Sequence, residues 1–212
     1  LPSRENNGNN NLSVARGFKG SPPINILIRT SSRPHYFDKC LESIINQEYK
    51  NYRIIVCYDT EDSKSYIEKY SGKCNLFYYF VERELREKKE KYKFNLYCNS
   101  LMDKVDSGYI MFLDDDDTLT HKYVLNIISD NIQSDEDFLI WKFLRPDKVI
   151  YPEDIYNVKL GEIDTTSVCF HSKYKNTDSA LWWDKQYGDF NFYNQLLTNN
   201  DIKFNRIFID SI

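Results

Sequence analysis

The chain has 212 residues, of which 41% are hydrophobic and 16% aromatic, the balance of one folded domain and not of a disordered segment. A formal charge of −4 offers no broad field to a polyanion, which argues against nucleic acid as a partner. No run approaches the ~20 apolar residues of a transmembrane segment, and five cysteines without CxxC spacing read as reduced core thiols, or at most one disulfide, of a cytoplasmic protein.

Residues 1–22 are rich in Asn, Gly and Ser and read as a flexible tail or linker ahead of a single domain over 23–212. Ile24, Ile26 and Ile28 alternate in a first strand that ends on Thr30, and Pro34 opens a helix whose apolar positions Phe37, Leu41, Ile44 and Ile45 share one face. A second strand over 53–58 stops at Asp59. A short helix over 63–70 and a third strand over 76–81 follow. The stretch from Glu82 to Lys93, ERELREKKEKYK, is almost wholly charged and has the composition of a solvated helix or loop. Phe94, Cys98, Leu101, Met102 and Val105 then mark one face of another helix.

The next stretch, GYIMFLDDDDTL from Gly108 to Leu119, organises the rest. Tyr109 to Leu113 is an unbroken apolar run, as in the buried middle of a parallel sheet, and it ends in Asp114, Asp115, Asp116 and Asp117. Open α/β sheets place ligands at the carboxyl ends of their strands. Four adjacent carboxylates repel unless a cation or a set of donors compensates them. A hard divalent ion with a diphosphate suits such a run; so does an acidic turn capping the helix that follows.

Beyond it, Val124, Ile127, Ile128 and Ile132 indicate a helix and residues 138–144 a strand. Residues 142–159 read as short strands and turns around Pro146 and Pro152, and 164–171 as a further strand. Trp182 and Trp183 precede Gly188 and Asp189, after which Phe192, Tyr193, Leu196 and Leu197 support a helix, and 202–209 closes as a strand. Asp189 is then either a helix cap or a functional carboxylate. Strands alternating with helices imply a doubly wound α/β sheet. GxGxxG, GxxxxGK[ST] and GxSxG are absent, and His35, His121 and His171 have no zinc spacing.

Together these stretches resemble the family 2 glycosyltransferases of the GT-A fold, the nucleotide-diphospho-sugar transferases, and within them the bacterial spore-coat polysaccharide enzymes. The resemblance runs from Ile24 to Ile212. INILIRTSSRPHYFDKCLESIINQEYKNYRIIVCYDTEDS is similar to the family's opening strand, helix and second strand, FLDDDD to its metal-binding DXD motif, and GDFNF to the segment that carries its catalytic base. It implies a Rossmann-like, mostly parallel sheet flanked by helices, with residues 23–120 binding the nucleotide and 121–212 the acceptor. Thr30 would lie beside the nucleotide, Asp59 on the uracil edge and Lys93 on the nucleotide. Asp115 would face the ribose, with Asp114 sharing that contact, and Asp116 would hold Mn²⁺ or Mg²⁺. Asp189 would be the base.

The implied activity is inverting transfer from a nucleotide-diphospho-sugar, a UDP-sugar by preference, to a glycan or glycoprotein hydroxyl, with a homodimer among the assemblies open to it. Three positions depart from the pattern: Arg29 stands where many members carry Pro, Tyr58 where they carry the first of two Asp, and Lys93 replaces Arg without its bidentate fork. Two rival readings stand beside this one. One is a catalytically silent GT-A domain that binds nucleotide sugar or glycan, and the other is a nucleotide-sugar hydrolase or Ca²⁺-loop protein, for which EF-hand spacing is missing.

Overall fold

The computed structural model describes residues 20–82, 95–175, 186–198 and 203–209. Lys93, most of the charged stretch, the Trp182–Trp183 pair and nearly all of the tail lie outside the described residues. In chain order the regular elements are β1 (Ile24–Thr30), α1 (Pro34–Ile45), β2 (Tyr52–Tyr58), α2 (Glu61–Glu68), β3 (Leu76–Phe80), α3 (Leu96–Asp103), β4 (Tyr109–Phe112) and α4 (Val124–Asp130). The second half continues with β5 (Asp137–Trp141), β6 (Phe143–Leu144), β7 (Ile150–Tyr151), β8 (Val168–His171), α5 (Gly188–Thr198) and β9 (Asn205–Ile209).

Seven strands form one sheet in the order β3-β2-β1-β4-β8-β5-β9. Neighbouring pairs are parallel except that β8 runs antiparallel to both β4 and β5. Both faces are covered, which a mostly parallel sheet requires. Alternation along β1 divides the core: Ile24, Ile26 and Ile28 pack against Phe37, Leu41 and Ile44 of α1, with side chains of α2 and α4 in the same cluster. Leu27 faces the opposite layer, among Cys98 and Leu101 of α3 and Phe192 and Leu196 of α5. All five cysteines are free thiols, and four of them are buried in these layers. Among the described residues no helix is long and apolar enough to cross a membrane.

Strand order reverses at β1, which has β2 on one side and β4 on the other. Chain connections therefore leave in opposite directions there and open a crevice at the carboxyl ends of β1 and β4. Thr30 and the four aspartates sit on its two lips.

Two expected strands are shorter than their apolar patterns suggest. Residues 138–144 divide at half-buried Lys142, and Phe143–Leu144 pairs as β6 with β7 in a separate hairpin. Pro146 sits in the turn, where the Lys148 N–H donates to the Arg145 carbonyl at 2.9 Å. Residues 164–167 form a capped 3₁₀ turn, and only Val168–His171 joins the sheet. The Ser167 hydroxyl donates to the Asp164 carbonyl at 2.7 Å and so competes with the ladder for local backbone groups.

Candidate active site

Leu113 prolongs β4 beside β1, its N–H donating to the Leu27 carbonyl at 3.0 Å. The chain then turns sharply, with the Asp117 N–H donating to the Asp114 carbonyl at 2.9 Å. This turn sends the four carboxylates in different directions. It is not a helix cap, because α4 begins only at Val124, after Tyr123, and has no side-chain cap.

Asp114 points back to β1, where Arg29 donates to it through Nε at 3.0 Å and Nη2 at 3.3 Å. The third nitrogen of Arg29, Nη1, donates to Asn95 Oδ1 at 3.3 Å. Asp115 points inward and is fully enclosed, at 0% exposure. It accepts from the Thr30 hydroxyl at 2.6 Å, from Arg33 Nε at 3.2 Å, and from Arg33 Nη2. Tyr66 braces Thr30 from behind, its hydroxyl 2.8 Å from Thr30 Oγ1 and donating to Ser63 Oγ at 2.9 Å. Asp116 points outward, its side chain 46% exposed, and accepts from Arg33 Nη1 at 3.0 Å. Asp59 is buried at the end of β2, one strand away, and accepts from the Tyr97 hydroxyl at 3.1 Å.

Asp117 turns toward Asp164, which the 3₁₀ turn before β8 brings alongside. Carboxylate oxygens of Asp114, Asp117 and Asp164 lie within 4.8 Å of one another. Crowding and burial change their chemistry. Burial first, then the charge of Asp164 and the neighbouring acids, pushes Asp117 up to about 7. Asp164 is pushed up to about 6 by burial and by Asp114, and Asp115 to about 6 by burial against the opposing pull of Thr30 and Arg33.

Asp189 lies in the first turn of α5 and accepts from the Phe190 N–H at 2.7 Å. Its carboxyl is raised by burial, with Asp114 adding repulsion. The start of α5 is set by close packing: a Cβ on Gly188 would run into the Asn95 amide, so a larger residue would need the side chain that Arg29 holds to give way before the helix could come this close. Asp116, Asp117, Asp164 and Asp189 line one cleft of about 690 Å³, which is also lined by Leu144, Arg145 and Ile150 in and around the β6–β7 hairpin and by Tyr187.

Of the expected site residues, Thr30, Asp114, Asp115, Asp116 and Asp189 are drawn to the crevice, and Asp59 stands beside it. Sequence reasoning missed Arg29 and Arg33 as partners of the acids, although both flank the Thr30 loop. It also missed Asp164, which the alternation of residues 164–171 placed in a strand and which the structure puts at the cap of a 3₁₀ turn.

Residues 26–205 match the family model described as glycosyl transferase family 2. The chain belongs to this family. Over 100 residues, covering 46% of this chain and 31% of the relative, it is 28% identical to the GalNAc(5)-diNAcBac-PP-undecaprenol β-1,3-glucosyltransferase of Campylobacter jejuni. Over 121 residues, 57% of this chain and 16% of the relative, it is 26% identical to glycosyltransferase GlyA of Streptococcus pneumoniae. The chain thus spans less than a third of the length of these curated relatives.

Among solved structures, residues 1–349 of S. aureus TarS in complex with UDP-GlcNAc superpose with a TM-score of 0.65 at 14% identity, over 90% of this chain and 59% of that one. The mannosyltransferase PcManGT of Pyrobaculum calidifontis, in complex with GDP-Man and Mn²⁺, gives 0.65 at 13% identity, over 91% of this chain and 56% of that one. The family 2 domain described here therefore has the GT-A fold.

Proposed function

We propose that this family 2 domain moves a sugar from a nucleotide-diphospho-sugar, a UDP-sugar by preference, to a hydroxyl of a glycan or glycoprotein, with inversion at the anomeric carbon and with Mn²⁺ or Mg²⁺ at the diphosphate. The observation that carries it is the convergence of Asp116, Asp117, Asp164 and Asp189 on one cleft at the carboxyl-end crevice of the sheet. Further support comes from structural relatives that hold UDP-GlcNAc, or GDP-Man with Mn²⁺. A cytoplasmic setting and a homodimer belong to the same proposal.

The residues suit a hard divalent cation. The trio Asp114, Asp117 and Asp164 offers oxygen atoms only, the donor set such ions prefer, and the raised carboxyls of Asp117 and Asp164 mark negative charge that a cation would relieve. Asp116 would hold the ion, with Asp117 and Asp164 of the same cleft supplying further oxygens. The chemistry the ion supplies when bound is neutralisation of the charge that builds on the leaving diphosphate.

The chain's own groups do the rest. Thr30, Asp59, Asp114, Asp115 and Lys93 hold the nucleotide, and Lys93 balances part of its charge. Asp189 takes the proton of the attacking acceptor hydroxyl. Burial raises its pKa and so makes it a stronger base than a free aspartate. A single base acting once implies direct displacement and hence inversion. The hairpin residues Leu144, Arg145 and Ile150, with Tyr187, form the acceptor side of the cleft, so residues 23–120 serve the donor and 121–212 the acceptor.

Calorimetric titration of UDP with and without Mn²⁺ tests the donor half. Saturable, metal-dependent binding is expected. Equal binding without Mn²⁺ would remove the metal from the scheme, and silence with UDP, dTDP and GDP alike would remove the donor site. Asp189→Asn tests the base: UDP binding is expected to persist while transfer falls by about 10²–10⁴. Transfer equal to wild type would exclude Asp189 from that role.

A further inference from the structure

Arg33 occupies both of the carboxylates that the donor is expected to use. Its Nε and Nη2 bind Asp115, assigned above to the ribose, while Nη1 lies 3.0 Å from Asp116, assigned to the metal. Asp115 has no exposed surface in this arrangement, so neither ribose nor water reaches it while the guanidinium stays. The stem of Arg33 is fixed: Ser32 before it has φ of 51°, Pro34 after it starts α1, and its N–H lies 3.5 Å from the Tyr66 hydroxyl. Its side chain, by contrast, is 43% exposed and has solvent to swing into.

We propose that Arg33 is a resident counter-ion of the donor-site acids, a positioning residue that competes with the divalent cation for Asp116 and releases both acids when metal and nucleotide arrive together. This rests on the donor and metal roles proposed above. A bare metal ion has to displace a guanidinium that then faces no new anion and leaves enclosed Asp115 without its cationic partner. A metal–nucleotide complex brings a diphosphate, whose oxygens accept from the freed fork as a carboxylate does, and a ribose for Asp115. The pair with half-exposed Asp116 is weak enough to exchange. Metal and nucleotide binding are therefore positively coupled through one side chain, and by linkage each strengthens the other.

The test measures Mn²⁺ affinity without nucleotide, from the loss of the free-Mn²⁺ electron paramagnetic resonance signal, and UDP affinity in saturating Mn²⁺ by calorimetry, for wild type, Arg33→Gln and Arg33→Lys. Removing the guanidinium is expected to tighten binding of Mn²⁺ alone by about 5- to 10-fold, at the low end of usual coupling, and to weaken UDP binding in Mn²⁺. Opposite signs in the two titrations are something a merely structural role does not produce. Should Arg33→Gln fail to fold, Arg33→Lys carries the test. It keeps a charge but cannot span both acids, so it too should bind bare Mn²⁺ more tightly than wild type. Unchanged or weaker Mn²⁺ binding by the variants, with Mn²⁺-dependent UDP binding intact in wild type, overturns the counter-ion role alone. Wild type that shows no Mn²⁺-dependent UDP binding overturns the functional reading and this inference with it.

Discussion

Asp117 is raised further than Asp115 or Asp164, to about 7 against about 6. A carboxyl whose folded pKa lies above its unfolded value binds more protons in the native state, so stability falls as pH rises from about 4 through the folded value. The metal-free protein is therefore expected to lose stability between pH 4 and about 7. Asp117→Asn should remove part of that loss, gaining on the order of 1 kcal/mol at pH 8 after solvent screening and little at pH 4. Urea denaturation at the two pH values checks this, and a variant no more stable than wild type at pH 8 would contradict the crowding. At this scale the run of four acids was legible, because adjacent like charge is visible in one dimension. Arg29, Arg33 and Asp164 were not, since their roles come from side chains that meet only across the crevice.

Helix α5 carries Asp189, and its position depends on two contacts. Phe192 packs edge-on to Phe112 of β4, with ring centroids 6.3 Å apart, and against Phe170 of β8 at 5.6 Å. Gly188 fits beside Asn95. Gly188→Ala is expected to cost about 1–3 kcal/mol, as overpacking does, and to lower transfer by shifting Asp189. Adding Asn95→Ala removes the obstructing amide, so the double variant should lose less than the sum of the two single losses. Additive losses in chemical denaturation would show that the contact does not limit the helix. The apolar spacing of Phe192 and Leu196 already indicated this helix, and the structure buries both. Spacing said nothing of β6 leaving the main sheet, because Phe143 and Leu144 continue the apolar pattern of β5 and only half-buried Lys142 interrupts it.

For the whole molecule, the reversal of strand order at β1 gathers loops from β1 and β4 at one end of the sheet, and a ligand bridging them stabilises only the folded state. UDP at about 100 times its Kd in Mn²⁺ should add about 2.7 kcal/mol, a rise in Tm of roughly 5–10 °C for a chain of this size. Differential scanning calorimetry with Mn²⁺, and again with EDTA, checks it. The rise should vanish with EDTA, and a rise that survives would mean that the nucleotide binds without metal.

The amino-acid sequence by itself determined the α/β class, the central acidic strand end and most helices and strands, because periodicity and runs of like charge are local properties of the chain. It also carried the resemblance to family 2. Only the tertiary structure decided the strand order, the antiparallel insertion of β8, the meeting of Asp164 with the acidic loop and the grip of Arg33 on Asp115 and Asp116. Each of these depends on which distant segments share a sheet edge or a crevice, and no local pattern in the chain encodes that choice.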